Sequence, residues 1–124
     1  MDFGPDDEQT LIVQTVRRFV ERDVRAWAAD ADRAASAPEK LAATAGEMGF
    51  FVDAVPAVAG GLLEGAYGHV TRALRGYELG RGCAAMAALL ETNVEPALAA
   101  ARWGSAAAKQ ALFAALVGSS ATTG

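Results

Sequence analysis

Hydrophobic positions along the first third of the chain follow a helical period. Ile12, Val16, Phe19, Val20, Val24 and Trp27 share one helical face. Arg17, Arg18, Glu21, Arg22 and Arg25 mostly cover the other side, with Arg17–Glu21 and Glu21–Arg25 at i,i+4 spacing, which reads as a solvated face. Asp6 followed three residues later by Gln9 has the spacing of a capping box, and acidic residues fill the first turn, where the helix dipole favours them. The pattern predicts a first helix running to about Arg33. Ser36 with Glu39, and Pro38 between them, predicts a second helix start, with Leu41, Ala45 and Met48 as its stripe and Gly49 as its C-terminal cap.

From Phe50 to Glu64 the helical period is lost, and Pro56 and the Gly60-Gly61 pair mark a loop, with a short extended piece at Phe51–Val55. A third helix is expected over about Tyr67 to Arg81, with Tyr67, Val70, Leu74, Tyr77 and Arg81 on one side. Gly68, Gly76 and Gly80 weaken it by up to about 1 kcal/mol each relative to alanine, a cost that points to close helix packing. A fourth helix should run from about Cys83 to Trp103, kinked or broken near Asn93–Pro96 by the proline. Gly104 ends it, and Ser105 caps a last helix through Val117. Together these elements predict an all-α, up-and-down bundle of four to five helices spanning residues 1–118, followed by an irregular tail over 119–124.

Composition supports helix-on-helix packing. Of 124 residues, 30 are alanine and only 7% are aromatic, so the helices can approach closely but gain little apolar burial per residue. A net charge of −4 argues against nucleic acid and against an anionic membrane surface. No apolar run approaches the roughly 18–20 residues that span a bilayer, and no signal peptide is evident, so a cytoplasmic location is expected. With one cysteine and one histidine, neither an intrachain disulfide nor a histidine-based metal cluster is expected.

Candidate chemistry is sparse. Glu91 is the only charged residue between Gly82 and Val94, and a carboxylate on an otherwise apolar helix must reach solvent, find a partner or take a proton. Glu95 follows at i+4, a repulsive pairing that favours water for at least one of the two. Glu78 is expected to pair with an arginine of a neighbouring helix, His69 to lie at the surface, and Cys83 to be a packed thiol. There is no Ser/His/Asp set, Walker motif or GxGxxG, and the Gly60-Gly61 pair alone does not indicate phosphate binding.

Short segments in order along the chain resemble the N-terminal domain of the acyl-CoA dehydrogenase family. These are Met1-Asp2-Phe3 with Asp7-Glu8-Gln9, and Val16-Arg17-Arg18-Phe19-Val20-Glu21-Arg22, then Ala31-Asp32-Arg33 and Gly46-Glu47-Met48-Gly49-Phe50. Val55-Pro56 with Gly60-Gly61-Leu62 follows, then Tyr77-Glu78-Leu79-Gly80-Arg81-Gly82-Cys83-Ala84, and finally Trp103-Gly104-Ser105 with Lys109-Gln110 and Leu112. The chain departs from the family at Ala57 and Val58 and at Ala106 and Ala107, where acidic residues are usual, at Ala26 in place of a proline, and at Pro96, a turn early.

The resemblance implies FAD-dependent α,β-dehydrogenation of an acyl-CoA by a complete enzyme of three parts. The family's flavin-contacting Thr-Glu-Pro-x-x-Gly-Ser motif and its glutamate base belong to a middle β-domain and a C-terminal helical domain. The residues up to Thr122-Thr123-Gly124 contain neither. The chain alone is therefore expected to hold no catalytic residue and no bound flavin, the remaining domains being supplied in cis or by a second chain. By the same resemblance the helix from Met86 to Asn93 forms a wall of the acyl cavity, with Ala87, Leu90 and Glu91 near the end of the fatty tail. An apolar face awaiting those domains would leave the chain marginally stable or oligomeric. A non-catalytic helical interaction module derived from the same fold is the alternative expectation, and a free-standing acyl-binding bundle a third.

Overall fold

A computed structural model of the chain describes residues 3–121, and of Ala66, Tyr67, Asn93 and residues 119–121 the backbone alone. Asp6 opens the first helix as anticipated. Its carboxylate accepts from the Gln9 backbone N–H at 2.8 Å, while its own N–H donates to Gln9 Oε1 at 3.2 Å. From that cap, α1 (Asp7–Phe19) passes through a π-helical turn (Val20–Val24) into α2 (Arg25–Ala34), so that one continuous rod results. The π turn was not predicted. The Arg25 N–H reaches back to the Val20 carbonyl, five residues rather than four. Val16, Phe19, Val20 and Val24 are buried and Ile12 and Trp27 pack against them, which makes the predicted stripe the rod's inner face.

The rod ends in a Schellman motif. The Ala35 N–H donates to the Asp32 carbonyl and the Ser36 N–H to that of Ala31, with Ala35 in the left-handed region at φ 49°. This use of Ser36 overturns its expected role. It closes α2 and leaves α3 (Glu39–Glu47) starting behind Pro38 with no side-chain cap. The predicted Gly49 cap does form. It repeats the same motif at φ 77°, its N–H donating to the Gly46 carbonyl and that of Phe50 to Ala45.

Residues 50–64 fold as a compact loop without the expected extended piece at Phe51–Val55, which is a run of turns. The chain doubles back on itself instead. The Leu62 N–H donates to the Val52 carbonyl, that of Leu63 to Val55, and that of Ala57 to Leu63. Pro56 and Leu63 make an isolated bridge around a short 3₁₀ turn (Ala57–Ala59). A Cβ on Gly61 would lie 2.0 Å from the Val55 carbonyl oxygen, so this crossing requires glycine.

Three further helices complete the bundle: α4 (Gly65–Gly82), α5 (Ala84–Trp103) and α6 (Ala106–Ala121). Among the described residues the fold is all-α, five helical rods without a strand. α1 packs on α4, α4 on α5 and α5 on α6, while α3 touches both α5 and α6. Cys83 alone, in extended conformation and partly buried against the core, joins α4 to α5.

Pro96 does not break α5. Val94 and Ala97 on either side of it are buried, and that packing holds the helix across the lost hydrogen bond. Ser105 caps α6 through the Ala108 N–H at 3.2 Å. α6 continues past the expected end near Gly118 to Ala121, and Thr122 to Gly124 lie outside the described residues.

The side of α4 that carries Val70, Leu74 and Tyr77 is not the one that packs inward. Val70 and Tyr77 are exposed and Leu74 half-buried, while the Tyr67 side chain lies outside the described residues. α4 instead buries Arg75, Glu78 and Leu79. The expected close approach at Gly80 is absent and occurs at Gly82, where a Cβ would stand 2.5 Å from Val20 Cγ1.

Candidate functional site

The buried charges of α4 build two polar centres between helices. At the first, Glu78 is 3% exposed and accepts from Arg17 of α1, at 2.7 Å to Nη2 and 3.2 Å to Nε, and from Arg81 at 2.8 Å. The fork from Arg17, helped by Arg81, holds the Glu78 carboxyl below the usual carboxylate range against the opposing effect of desolvation. Glu78 thus finds its arginine, as expected. Arg17 makes this pair while staying on the solvated face, its side chain 47% exposed.

At the second centre Arg75, also 3% exposed, stands between three elements. It pairs with Asp53 of the loop and, at 2.7 Å, with Glu91 of α5. Its guanidinium lies 4.8 Å from the centre of the Phe50 ring and donates to the Phe50 carbonyl at 3.4 Å. Burial lowers the pKa of this guanidinium, and the hydrogen bond and charge of Glu91 oppose that shift. Arg72, one turn earlier, also pairs with Glu91 and approaches Glu95 at 3.6 Å. Of the three fates open to Glu91, partnership is realised together with partial access to solvent.

Beside this cluster is a cavity of about 410 Å³. Ile12, Met48, Phe50, Ala57 and Leu62 give it an apolar wall, and Glu8, Asp53, Glu64, Arg72 and Arg75 its charges. It does not fit a flavin dinucleotide. A pyrophosphate needs uncommitted cations or backbone donors, yet both guanidiniums are held by carboxylates and the other charged residues lining it are acidic. The Nε atoms of Arg72 and Arg75 and Asp53 Oδ1 have no hydrogen-bond partner among the described residues, but they lie beyond a water's reach and so offer nothing to a ligand.

The three residues singled out on α5 fall on its inner side. Leu90 is 4% exposed within the core, Ala87 is half-buried against it, and Glu91 keeps partial access to solvent. Four cavities on the bundle are lined by other residues. His69 is exposed, as expected. Among the described residues no three His, Cys, Asp or Glu side chains could hold a metal, and no helix is long and apolar enough to cross a membrane.

Asp53, Arg72 and Arg75 went unremarked in the sequence, although a signal existed. Arg72, Arg75, Leu79 and Gly82 recur at steps of three and four, the spacing of an inner helix face. Arginines at that spacing read as solvated unless their carboxylate partners, 16 and 22 residues away in the chain for Arg75, are known.

The profile of the acyl-CoA dehydrogenase N-terminal domain matches residues 6–119. Comparison with curated proteins and with solved structures returned no match. The matched span runs from the capping aspartate of α1 into the last turns of α6, and so takes in all five helical rods. The chain therefore belongs to the acyl-CoA dehydrogenase family, as its N-terminal helical domain.

Proposed function

We propose that the chain works as the N-terminal helical domain of an acyl-CoA dehydrogenase-like flavoprotein, which carries out FAD-dependent α,β-dehydrogenation of an acyl-CoA. The family match over residues 6–119 carries this reading. Flavin and catalytic base belong to further domains, in cis or in a second chain. The contribution of this chain is a wall of the acyl pocket built from α5 between Met86 and Asn93. Ala87 leaves room for the end of the tail, Leu90 backs the wall from the core, and Glu91 borders it. A bare carboxylate facing a hydrocarbon tail is unfavourable, and the guanidiniums of Arg72 and Arg75 offset that charge.

Reconstitution tests the proposal. The purified chain, mixed with candidate middle and C-terminal domains, should retain yellow flavin and gain dye-linked acyl-CoA oxidation that neither component shows alone. A mixture that assembles but stays colourless and inactive would favour a non-catalytic interaction module instead. Saturable acyl-CoA binding to the chain alone, without flavin, would favour a free-standing acyl-binding bundle.

A further inference from the structure

The outer face of α5 carries a seam on the side opposite Ala87, Leu90 and Glu91. Ala85, Leu89, Thr92, Pro96, Ala99 and Trp103 follow one another at alternating steps of four and three, and all six are exposed. That is the repeat of a helix-pairing stripe, and none of the six is charged. Leu89 is 45% and Trp103 78% exposed. Large apolar side chains at such exposure, aligned along a helix of 20 residues, need a partner surface to be removed from water.

The seam is complementary to itself. Turned end for end about the level of Val94, it sets Trp103 against Ala85, Leu89 against Ala99, and Thr92 against Pro96. Each large side chain then meets a small one. The Ala85 end also has the room this needs: a cavity of about 570 Å³, lined there by Ala85, Met86 and Leu89 together with Ala28 and Ala31 of α2. A two-fold axis brings the indole of each copy to the cavity of the other. A foreign partner would not require its own complement to be written along the same stripe.

We infer that the outer face of α5 is an antiparallel, two-fold pairing site for a second copy of this chain. Trp103 is the knob, and the hole is the cavity between α2 and α5, lined by alanines together with Asp32 and Ser36. The pairing is isologous and closes at two copies. A single helix pair of this length buries roughly 1,000 Å² in total, at the low end for specific interfaces, so a weak and reversible pairing is expected. Glu95, on one flank with its side chain 71% exposed, falls beside the axis and faces its own counterpart, which weakens the pair.

Sedimentation of the 124-residue chain from low micromolar to near-millimolar concentration reads this directly. A reversible monomer–dimer equilibrium is expected. Trp103→Ala should weaken it by about tenfold or more and Leu89→Glu should abolish it, while Glu95→Gln should tighten it by about twofold. Both weakening changes are at exposed positions, so circular dichroism should show the fold kept. In a Cys83→Ser background, Leu89→Cys chains should form disulfides with Ala99→Cys chains and not with one another. A chain monomeric throughout, a dimer indifferent to Trp103→Ala and Leu89→Glu, or Leu89→Cys chains that cross-link to themselves would each overturn the inference. A monomer whose α5 face is protected only by added flavoprotein domains would assign the seam to those domains and overturn it equally.

Discussion

Arg75 and Ala35 show how single residues carry strain or cohesion in this bundle. Arg75 ties three elements together, α4 through its own backbone, the loop through Asp53 and Phe50, and α5 through Glu91. Removing its charge takes the paired cation away from the largely buried Asp53 carboxylate. Arg75→Met should therefore destabilise the fold by about 3–5 kcal/mol in urea unfolding. A loss within the range of an ordinary surface substitution would show that the cluster is dispensable. Ala35 is the reverse case. The motif that ends α3 uses glycine at φ 77°, whereas the same motif at the end of α2 forces an alanine to φ 49°. Ala35→Gly relieves that left-handed strain but adds freedom to the unfolded chain. The net gain should be about 0.5–1 kcal/mol, visible as a raised melting temperature. An unchanged or lower melt would mean the alanine is comfortable there.

Between elements, the contact of α1 with α4 depends on charge and on close approach. Glu78 titrates below its ordinary range in the folded chain because Arg17 and Arg81 hold its ionised form. Its stabilising effect is complete above the unfolded carboxylate value, about 4.3, and is lost as pH falls through the lower folded value. The wild-type chain should thus lose stability in acid more steeply than Glu78→Gln, which has no such proton to take up. Parallel stability–pH curves would contradict this.

At the crowded end of the same helix pair, Gly82 leaves Val20 and Val24 the space a methyl would occupy, whereas nothing lies within 4 Å of a Cβ placed on Gly80. Two glycines in one turn should then respond oppositely to the same change. Gly82→Ala should cost about 1–3 kcal/mol through overpacking, and Gly80→Ala should gain up to about 1 kcal/mol of helix propensity. Thermal melts of the two variants on the same side of the wild type would refute the assigned packing.

For the molecule as a whole, what the sequence disclosed depended on how local the deciding interaction was. The rod from Asp7 to Ala34 was legible because its cap is three residues wide and its apolar stripe faces inward. The inner face of α4 was not legible because it is settled by distant groups: Arg17, Asp53 and Glu91 make it favourable to bury Arg75 and Glu78, and Val70 and Tyr77 turn outward in consequence. Of the candidate site, Glu91 stood out as a charge in an apolar run. Its arginines did not, since nothing in α4 alone distinguishes a buried guanidinium from a solvated one.

The π turn at Val20–Val24 also left no mark on the apolar pattern, since Val20 and Val24 stay buried with the extra residue between them. That residue is a spare. Deleting a residue from a regular helix turns everything beyond it by about 100° and carries the apolar face out of the core. Here the same loss would convert the wide turn into an ordinary one, with α1 and α2 keeping their faces. A chain lacking the exposed Glu21 should still fold cooperatively, whereas one lacking exposed Ala73 from the middle of α4 should not. Deletion scanning by circular dichroism would then find one tolerant window in the first rod, and a chain equally damaged at both sites would show that the wide turn stores no such slack.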